Sequence, residues 1–407
     1  MQYGLLGQKL SHSYSPQIHK ALAGYEYGLI QIEPEDLESF LRTADFSGIN
    51  VTIPYKKAVL PFCHSLSPQA RRLGAVNTIV KKPDGTLWGH NTDYFGFQEM
   101  VRLSGLNIQK KKVLVLGSGG AGVTATAVLQ DLGANVICIS RNGENNYDNL
   151  GLHKDASVIV NATPVGMYPN TGVAPLQISA FPNLEGVLDL IYNPSKTDLL
   201  LQAEERGLIA LNGLYMLVAQ AKESAEYFCG NKISDSKIEG VHKCLKSQME
   251  NIVLIGMPGS GKSTIGALLA DSLNRCFIDT DQLIVERTGV PIPSFMEKYG
   301  LERFRQEESS VIHDVCKQSG LVISTGGGCV TREENYKLLR QNGTVVWIMR
   351  DIGLLPTDGR PLSQSGNLQT MYEERRPLYS RFADIHVDND QTPEKAAERI
   401  LTALKGD

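Results

Sequence analysis

Short apolar runs alternate with stretches of helical periodicity along this chain, the pattern of α/β units built on parallel strands. Runs at 3–6, 48–52, 78–81, 113–116, 135–140, 157–161 and 186–189 predict strands in the first part. The stretch 230–248 is polar and Lys-rich and interrupts this alternation. A second series then begins, with strands predicted over 252–255, 276–279, 321–324 and 344–349. The fresh start after Met249-Glu250-Asn251 predicts a domain boundary there, and neither an internal repeat nor a low-complexity tract crosses it.

Two predicted strands run straight into glycine loops of different kinds. After 113–116 comes Gly117-Ser118-Gly119-Gly120-Ala121-Gly122, with a helix predicted over 123–132. That G-x-G-x-x-G spacing between strand and helix suits a dinucleotide pyrophosphate. After 252–255 comes Gly256-Met257-Pro258-Gly259-Ser260-Gly261-Lys262-Ser263, whose G-x-x-x-x-G-K-S spacing suits a nucleoside triphosphate. The lysine would reach the β- and γ-phosphates, and the Ser263 hydroxyl would face Mg²⁺. Redox chemistry is therefore expected in one part and phosphoryl transfer in the other. The strand following the first loop ends Ser140-Arg141-Asn142 rather than in a carboxylate. An arginine there favours the 2′-phosphate of NADP over the free hydroxyl of NAD.

The chain has 407 residues, which points to two or three domains, and its 42% hydrophobic and 21% charged content is that of a soluble globular protein. A net charge of −4 gives no electrostatic case for a nucleic-acid or membrane partner. Seven scattered cysteines without a C-x-x-C pair suggest reduced thiols and neither a disulfide framework nor a zinc site. Tyr3-Gly4-Leu5-Leu6-Gly7 reads as a strand rather than a signal peptide, so the expected setting is cytoplasmic.

The first part also holds Ser11-His12-Ser13-Tyr14-Ser15-Pro16, Asn50-Val51-Thr52-Ile53-Pro54-Tyr55-Lys56-Lys57, Gly74-Ala75-Val76-Asn77-Thr78 and Gly89-His90-Asn91-Thr92-Asp93. These hydroxyls and amides, with one lysine and one carboxylate, suit a small polyhydroxy acid from which one proton is moved. With Asn161-Ala162-Thr163-Pro164, Asp189-Leu190-Ile191-Tyr192-Asn193-Pro194 and Gly213-Leu214-Tyr215-Met216, they make residues 1–245 closely resemble the shikimate dehydrogenase family. The resemblance implies Lys56 as catalytic acid/base with Asp93 as its partner. Ser13, Ser15 and Tyr192 would hold the substrate carboxylate, and Thr52, Asn77, Asp93 and Gln220 the ring hydroxyls. Gly117, Ser118, Gly119, Gly120, Ala121, Ser140, Arg141, Leu190 and Gly213 would surround NADP(H). The chain departs from the family in carrying a single arginine after the second strand, followed by Glu144, and in reading Asn212-Gly213 where Asp-Gly is common.

In the second part, Asp279-Thr280-Asp281, Phe304-Arg305-Gln306-Glu307-Glu308, Gly326-Gly327-Gly328, Asp358-Gly359-Arg360-Pro361-Leu362 and Arg375-Arg376-Pro377-Leu378-Tyr379 follow the phosphate loop. Arginines around such a loop suit an anionic acceptor. In this order the segments make residues 250–407 look like shikimate kinase. By that resemblance Asp281, Arg305, Gly327 and Arg375 bind shikimate, and Glu308 holds Arg305. Gly259, Ser260, Gly261, Lys262, Ser263, Thr264 and Arg360 would bind ATP, with Ser263 and, through its shell, Asp279 at Mg²⁺. The lid is short, and neither 351–357 nor 387–390 offers the basic residue that often packs near adenine.

The two resemblances together imply a substrate-binding α/β domain over 1–94, completed by helices at 213–240, and a Rossmann domain over 95–212. A linker at 241–249 and a P-loop domain of the nucleoside-monophosphate-kinase type over 250–407 would follow. The implied activity is NADPH-dependent reduction of 3-dehydroshikimate followed by ATP-dependent phosphorylation of the shikimate formed. Competing readings are a first part that prefers quinate or NAD, and a second part that senses shikimate without turnover. Ser13 and Ser15 argue against the first by crowding the carboxylate end, and the presence of Lys262, Asp281 and Arg305 argues against the second.

Overall fold

Val113, Leu114, Val115 and Leu116 are all fully buried, as a central parallel strand covered on both faces must be. The same holds for Val253, Leu254 and Ile255, so each glycine loop springs from an interior strand of its own sheet. The computed structural model of the protein describes residues 2–10, 13–355 and 368–405. The chain divides into two compact units: Met1–Met167, Val173–Tyr192 and Leu199–Leu245 form one, and Tyr168–Gly172, Asn193–Asp198 and Lys246–Asp407 the other.

The first unit contains two sheets. One is built from β1 (Tyr3–Gly7), β2 (Gly28–Gln31), β3 (Gly48–Val51), β4 (Ser65–Leu66), β5 (Thr78–Lys81) and β6 (Leu87–His90), in the order β2-β1-β3-β5-β6-β4. This sheet is mixed rather than parallel, because β5 runs antiparallel to both β3 and β6. The cause is local: Lys82 N–H donates to the Thr86 carbonyl across a tight Asp84-Gly85 turn, and so short a connection can join only antiparallel strands. The second sheet, β7 (Lys112–Leu116), β8 (Asn135–Ile139), β9 (Val158–Asn161), β10 (Gly186–Asp189) and β11 (Ile209–Leu211), is fully parallel, in the order β11-β10-β9-β7-β8. Helix Leu214–Cys229 packs along helix Asp93–Ser104.

The second unit carries β12 (Asn251–Ile255), β13 (Phe277–Asp279), β14 (Val322–Ser324), β15 (Gly343–Met349) and β16 (Ile385–Asp388), all parallel, in the order β13-β14-β12-β15-β16. Apolar clusters cover both faces, one around Trp347, Tyr379 and Phe382, the other around Ile265, Leu269 and Ile400. Residues 241–249, expected as a linker, are helical, as the end of Ser236–Met249, and the boundary between the two compact units falls among them, after Leu245. Ile238, Leu245 and Met249 of this helix are buried at helical spacing, a stripe hidden in the sequence by the lysines between them. Among the described residues no helix is long and apolar enough to cross a membrane.

Candidate active sites

Lys56 lies in the turn that follows β3. The buried Tyr55 anchors that turn by donating its hydroxyl to the Ile32 carbonyl at 2.5 Å, and the Lys56 carbonyl accepts from Val76 N–H. The lysine Nζ is thereby delivered 2.7 Å from Oδ2 of Asp93, the first residue of helix Asp93–Ser104. A helix start favours the carboxylate, and the pair is only partly exposed, at 32% and 17%.

Below the pair a polar network fixes Asn77. Its Oδ1 accepts from Thr92 N–H at 2.8 Å, and its Nδ2 donates to Thr92 Oγ1 at 3.0 Å. Ser224 Oγ then ties together Thr78, Thr92 and Asn50 at 2.8–2.9 Å. Gln220 joins through Thr92 Oγ1 and donates its own Nε2 to the Leu217 carbonyl. A buried network with its members satisfied holds the neighbouring groups rigid. Thr52 stands half-buried beside it, its N–H bound to the Leu6 carbonyl. Ser13 and Ser15 share one turn, with Ser15 N–H donating to Ser13 Oγ at 3.2 Å. The intervening Tyr14 meets Tyr192 edge-on at 6.3 Å, which brings the serine turn to the tyrosine. Burial, then the nearby Tyr14, raises the Tyr192 hydroxyl above its ordinary pKa, so it remains a donor.

The first glycine loop leaves β7, whose neighbours β8 and β9 are entered in opposite directions along the chain. That is a topological switch point, where parallel sheets bind ligands. A side chain at Gly122 would place its Cβ 1.9 Å from the Gly117 carbonyl oxygen, so only glycine lets the helix start so close to the loop. Gly213 packs as tightly on Leu190, 2.2 Å from its carbonyl by the same measure. After β8 the loop closes on itself through Ser140 N–H to the Asn145 carbonyl. Arg141 stands exposed on this loop and has no ion-pair partner among the described residues.

In the second unit a cavity of about 490 Å³ is lined by Gly259, Gly261, Lys262, Ser263 and Thr264 on one side, and by Asp281, Arg305, Gly327 and Arg375 on another. Lys262 is buried, and its Nζ donates to the Gly256 and Met257 carbonyls at 3.0 Å. Ser263 Oγ donates to Asp279 Oδ2 at 2.6 Å, while Asp279 Oδ1 caps helix Thr280–Thr288. Among the described residues no group of three His, Cys, Asp or Glu side chains could hold a metal alone. The hydroxyl and carboxylate oxygens of Ser263 and Asp279 nevertheless suit Mg²⁺, which keeps several waters and shares its shell with substrate phosphates.

Arg305 and Glu308 form a buried pair at 2.6 Å. The triple glycine is what admits them: a Cβ at Gly328 would lie 1.9 Å from Arg305 Nη2, and one at Gly326 would lie 2.4 Å from Glu308 Oε1 and 2.7 Å from Asp281 Oδ1. Those two carboxylate oxygens are buried and have no hydrogen-bond partner among the described residues. Asp281, Glu308 and Gly326 all line the cavity, so both carboxyl groups border the space an acceptor would occupy. Burial, with Glu308 and Asp279 adding repulsion, pushes Asp281 up to about 6. Arg375 donates to the Gly327 carbonyl at 3.0 Å, which fixes its guanidinium at the rim. Arg360 lies outside the described residues.

A family model described as the shikimate dehydrogenase substrate binding domain matches residues 5–79, and one described as shikimate kinase matches residues 258–405. Shikimate dehydrogenase (NADP(+)) of Clostridium perfringens is 34% identical over 266 residues, 60% of this chain and 98% of that protein. The chain belongs to the shikimate dehydrogenase family. A shikimate kinase domain follows in the same chain. A chorismate mutase/shikimate 5-dehydrogenase fusion protein from Clostridium acetobutylicum resembles the dehydrogenase part, with a TM-score of 0.57 and 37% identity over 60% of this chain and 96% of that one. The shikimate 5-dehydrogenase of Thermus thermophilus, solved in complex with NADP(H) and shikimate, gives 0.55 and 30% over 60% and 99%. The dehydrogenase part thus has whole proteins as its relatives, and the kinase domain is an addition to them.

Sequence reasoning overlooked Asn50, Thr92 and Ser224 in the network of the dehydrogenase part and, in the kinase domain, Ser324 and Arg350, which line the cavity. Asn50 and Thr92 sit inside quoted motifs, but their partner Ser224 is 174 residues from Asn50, and nothing local marks it.

Proposed function

We propose that this bifunctional enzyme reduces 3-dehydroshikimate to shikimate with NADPH and then phosphorylates the shikimate 3-hydroxyl with ATP. One observation carries the reading: the family matched by the first part is named for the compound that the family matched by the second part phosphorylates.

In the first step NADPH supplies a hydride to the substrate's carbonyl carbon. Lys56 Nζ donates a proton to the carbonyl oxygen, so the C=O bond becomes CH–OH, and Asp93 holds the ammonium on line. Asn77, Thr52 and Gln220 orient the ring hydroxyls, and Ser13, Ser15 and Tyr192 bind the carboxylate. Gly117, Ser118, Gly119, Gly120 and Ala121 would receive the pyrophosphate, Leu190 and Gly213 would flank the nicotinamide, and Ser140 with Arg141 would take the 2′-phosphate. Replacing Arg141 by alanine is expected to weaken NADPH by about tenfold or more, the worth of a charged hydrogen bond, without changing NADH. Equal losses for both cofactors in steady-state kinetics would remove Arg141 from that role.

In the second step Asp281 accepts the proton of the 3-hydroxyl as its oxygen attacks the γ-phosphorus in line and ADP leaves. Arg305, held by Glu308, and Arg375 bind the shikimate carboxylate beside Gly327. Gly259, Ser260, Gly261, Lys262, Ser263, Thr264 and Arg360 would bind ATP, and Ser263 and Asp279 would hold Mg²⁺, which would supply charge to neutralise the phosphates. The seven cysteines are free thiols, which supports a cytoplasmic setting.

The test is a coupled assay on the full chain with 3-dehydroshikimate, NADPH, ATP and Mg²⁺. One NADP⁺ and one ADP are expected per shikimate 3-phosphate. Omitting ATP or Mg²⁺ should stop the sequence at shikimate. Binding of shikimate without ADP formation would replace the kinase reading by a sensing one, and faster turnover of quinate with NAD would replace the dehydrogenase reading.

A further inference from the structure

The acceptor and donor sides of the kinase cavity differ in their supply of positive charge. Asp279 ends β13, Asp281 follows it, and the triple glycine follows β14, both strands on one side of the central β12. Arg305 and Arg375 face that side, around Gly328 and Gly327. On the other side of β12 lie β15 and β16, and the 351–355 and 387–390 segments that follow their apolar cores contain no Lys or Arg. Besides Lys262, Arg305 and Arg375, the one basic side chain that lines the cavity among the described residues is Arg350, immediately after β15.

Arg350 lines the cavity. Its Nη1 lies 3.4 Å from the Gly259 carbonyl, and its Nε is buried without a hydrogen-bond partner among the described residues. Asn389, after β16, donates to the adjacent Ser260 carbonyl at 2.8 Å. The residues that follow β15 and β16 thus hold two successive loop carbonyls, which fixes this stretch of the phosphate loop. A guanidinium with an unused donor at this place matches phosphate geometry.

We propose that Arg350 is a nucleotide-binding residue that donates to the β-phosphate from the side opposite the acceptor. Resting on the kinase reading, the proposal adds to it a cation that the 351–357 stretch lacks. The contact is made in both ATP and ADP, so it holds the leaving group rather than the attacking hydroxyl.

The full chain and its Arg350→Ala and Arg350→Lys variants would be titrated with MgADP and with AMP, and assayed with ATP and shikimate. In Arg350→Ala, MgADP affinity is expected to fall about tenfold or more, and KM for ATP to rise likewise. AMP affinity and KM for shikimate should stay unchanged, and Arg350→Lys should recover part of the loss as a point charge. Unchanged MgADP affinity in Arg350→Ala overturns the proposal. So does an equal loss for MgADP, AMP and shikimate with a lower melting temperature, because that is the signature of a brace on Gly259 alone. Should the alanine variant fail to fold, the same comparison is made on Arg350→Lys and Arg350→Gln, where unchanged MgADP affinity in both overturns the proposal. If wild type binds MgADP but never phosphorylates shikimate, the kinase reading fails, and the MgADP comparison still decides the role of Arg350.

Discussion

Lys56→Ala is expected to lower the reduction of 3-dehydroshikimate by a factor of roughly 10²–10⁴ while phosphorylation of added shikimate proceeds at the wild-type rate. The size follows from what the side chain does. Reduction places negative charge on an oxygen that must be protonated as it forms, and in the proposed mechanism the donor is Lys56 Nζ, held 2.7 Å from Asp93. Asn77, Thr92 and Ser224 bond to one another and not to the lysine, so substrate positioning should survive its removal. The loss should therefore fall on kcat and leave KM for 3-dehydroshikimate nearly unchanged. Asp93 stays at a helix start after the substitution, where its charge remains favoured, and the variant should fold. A loss smaller than about tenfold would mean that solvent delivers the proton and would remove Lys56 from the acid/base role.

The legible parts of this chain were those in which chemistry and local order coincide. Both glycine loops declare themselves because strand, loop and helix are contiguous, and the buried runs at β7 and β12 carry an unbroken apolar signal. β2, β4, β6, β11 and β16 escaped notice because they are short and carry polar or exposed positions, as with the two-residue β4. The antiparallel β5–β6 pair was hidden for a different reason: strand direction depends on the five residues between them, not on the strands. Lys56 and Asp93 are marked by their motifs and meet in the fold, whereas Ser224 joins the network only because helix Leu214–Cys229 folds back over the N-terminal sheet. Arg350 reads as the polar end of a strand, and only the order β12-β15 places it beside the phosphate loop. The lysines of 237–246 masked an apolar stripe that makes 236–249 a helix. What escaped sequence reasoning were relations between distant segments, which a linear pattern cannot carry.

Asp281→Asn is expected to abolish phosphorylation, by roughly 10²–10⁴, and at the same time to stabilise the ligand-free enzyme above neutral pH. Both effects have one cause. Asp281 sits between Glu308 and Asp279 in a buried gap that raises its pKa to about 6, and its Oδ1 has no partner among the described residues. An ionised carboxylate there is poised to take the proton of an incoming hydroxyl, and the wild-type rate with shikimate should therefore rise with pH through about 6. The asparagine variant can orient the hydroxyl but cannot accept its proton, so its residual rate should lose that limb. The stability effect has the opposite sense. Because the folded pKa is raised above the unfolded one, the protonated carboxyl's contribution is fully present below about pH 4 and is lost as pH rises through about 6. At pH 8 the buried charge costs on the order of 3 kcal/mol relative to a neutral side chain. A neutral amide removes that cost, so the melting temperature should rise by a few degrees at pH 8 and by less at pH 5. Reduction of 3-dehydroshikimate reports the other active site and should not change. An asparagine variant that keeps the acid limb near pH 6, or melts below wild type at pH 8, would place the titrating group elsewhere and leave Asp281 an ordinary hydrogen-bond acceptor.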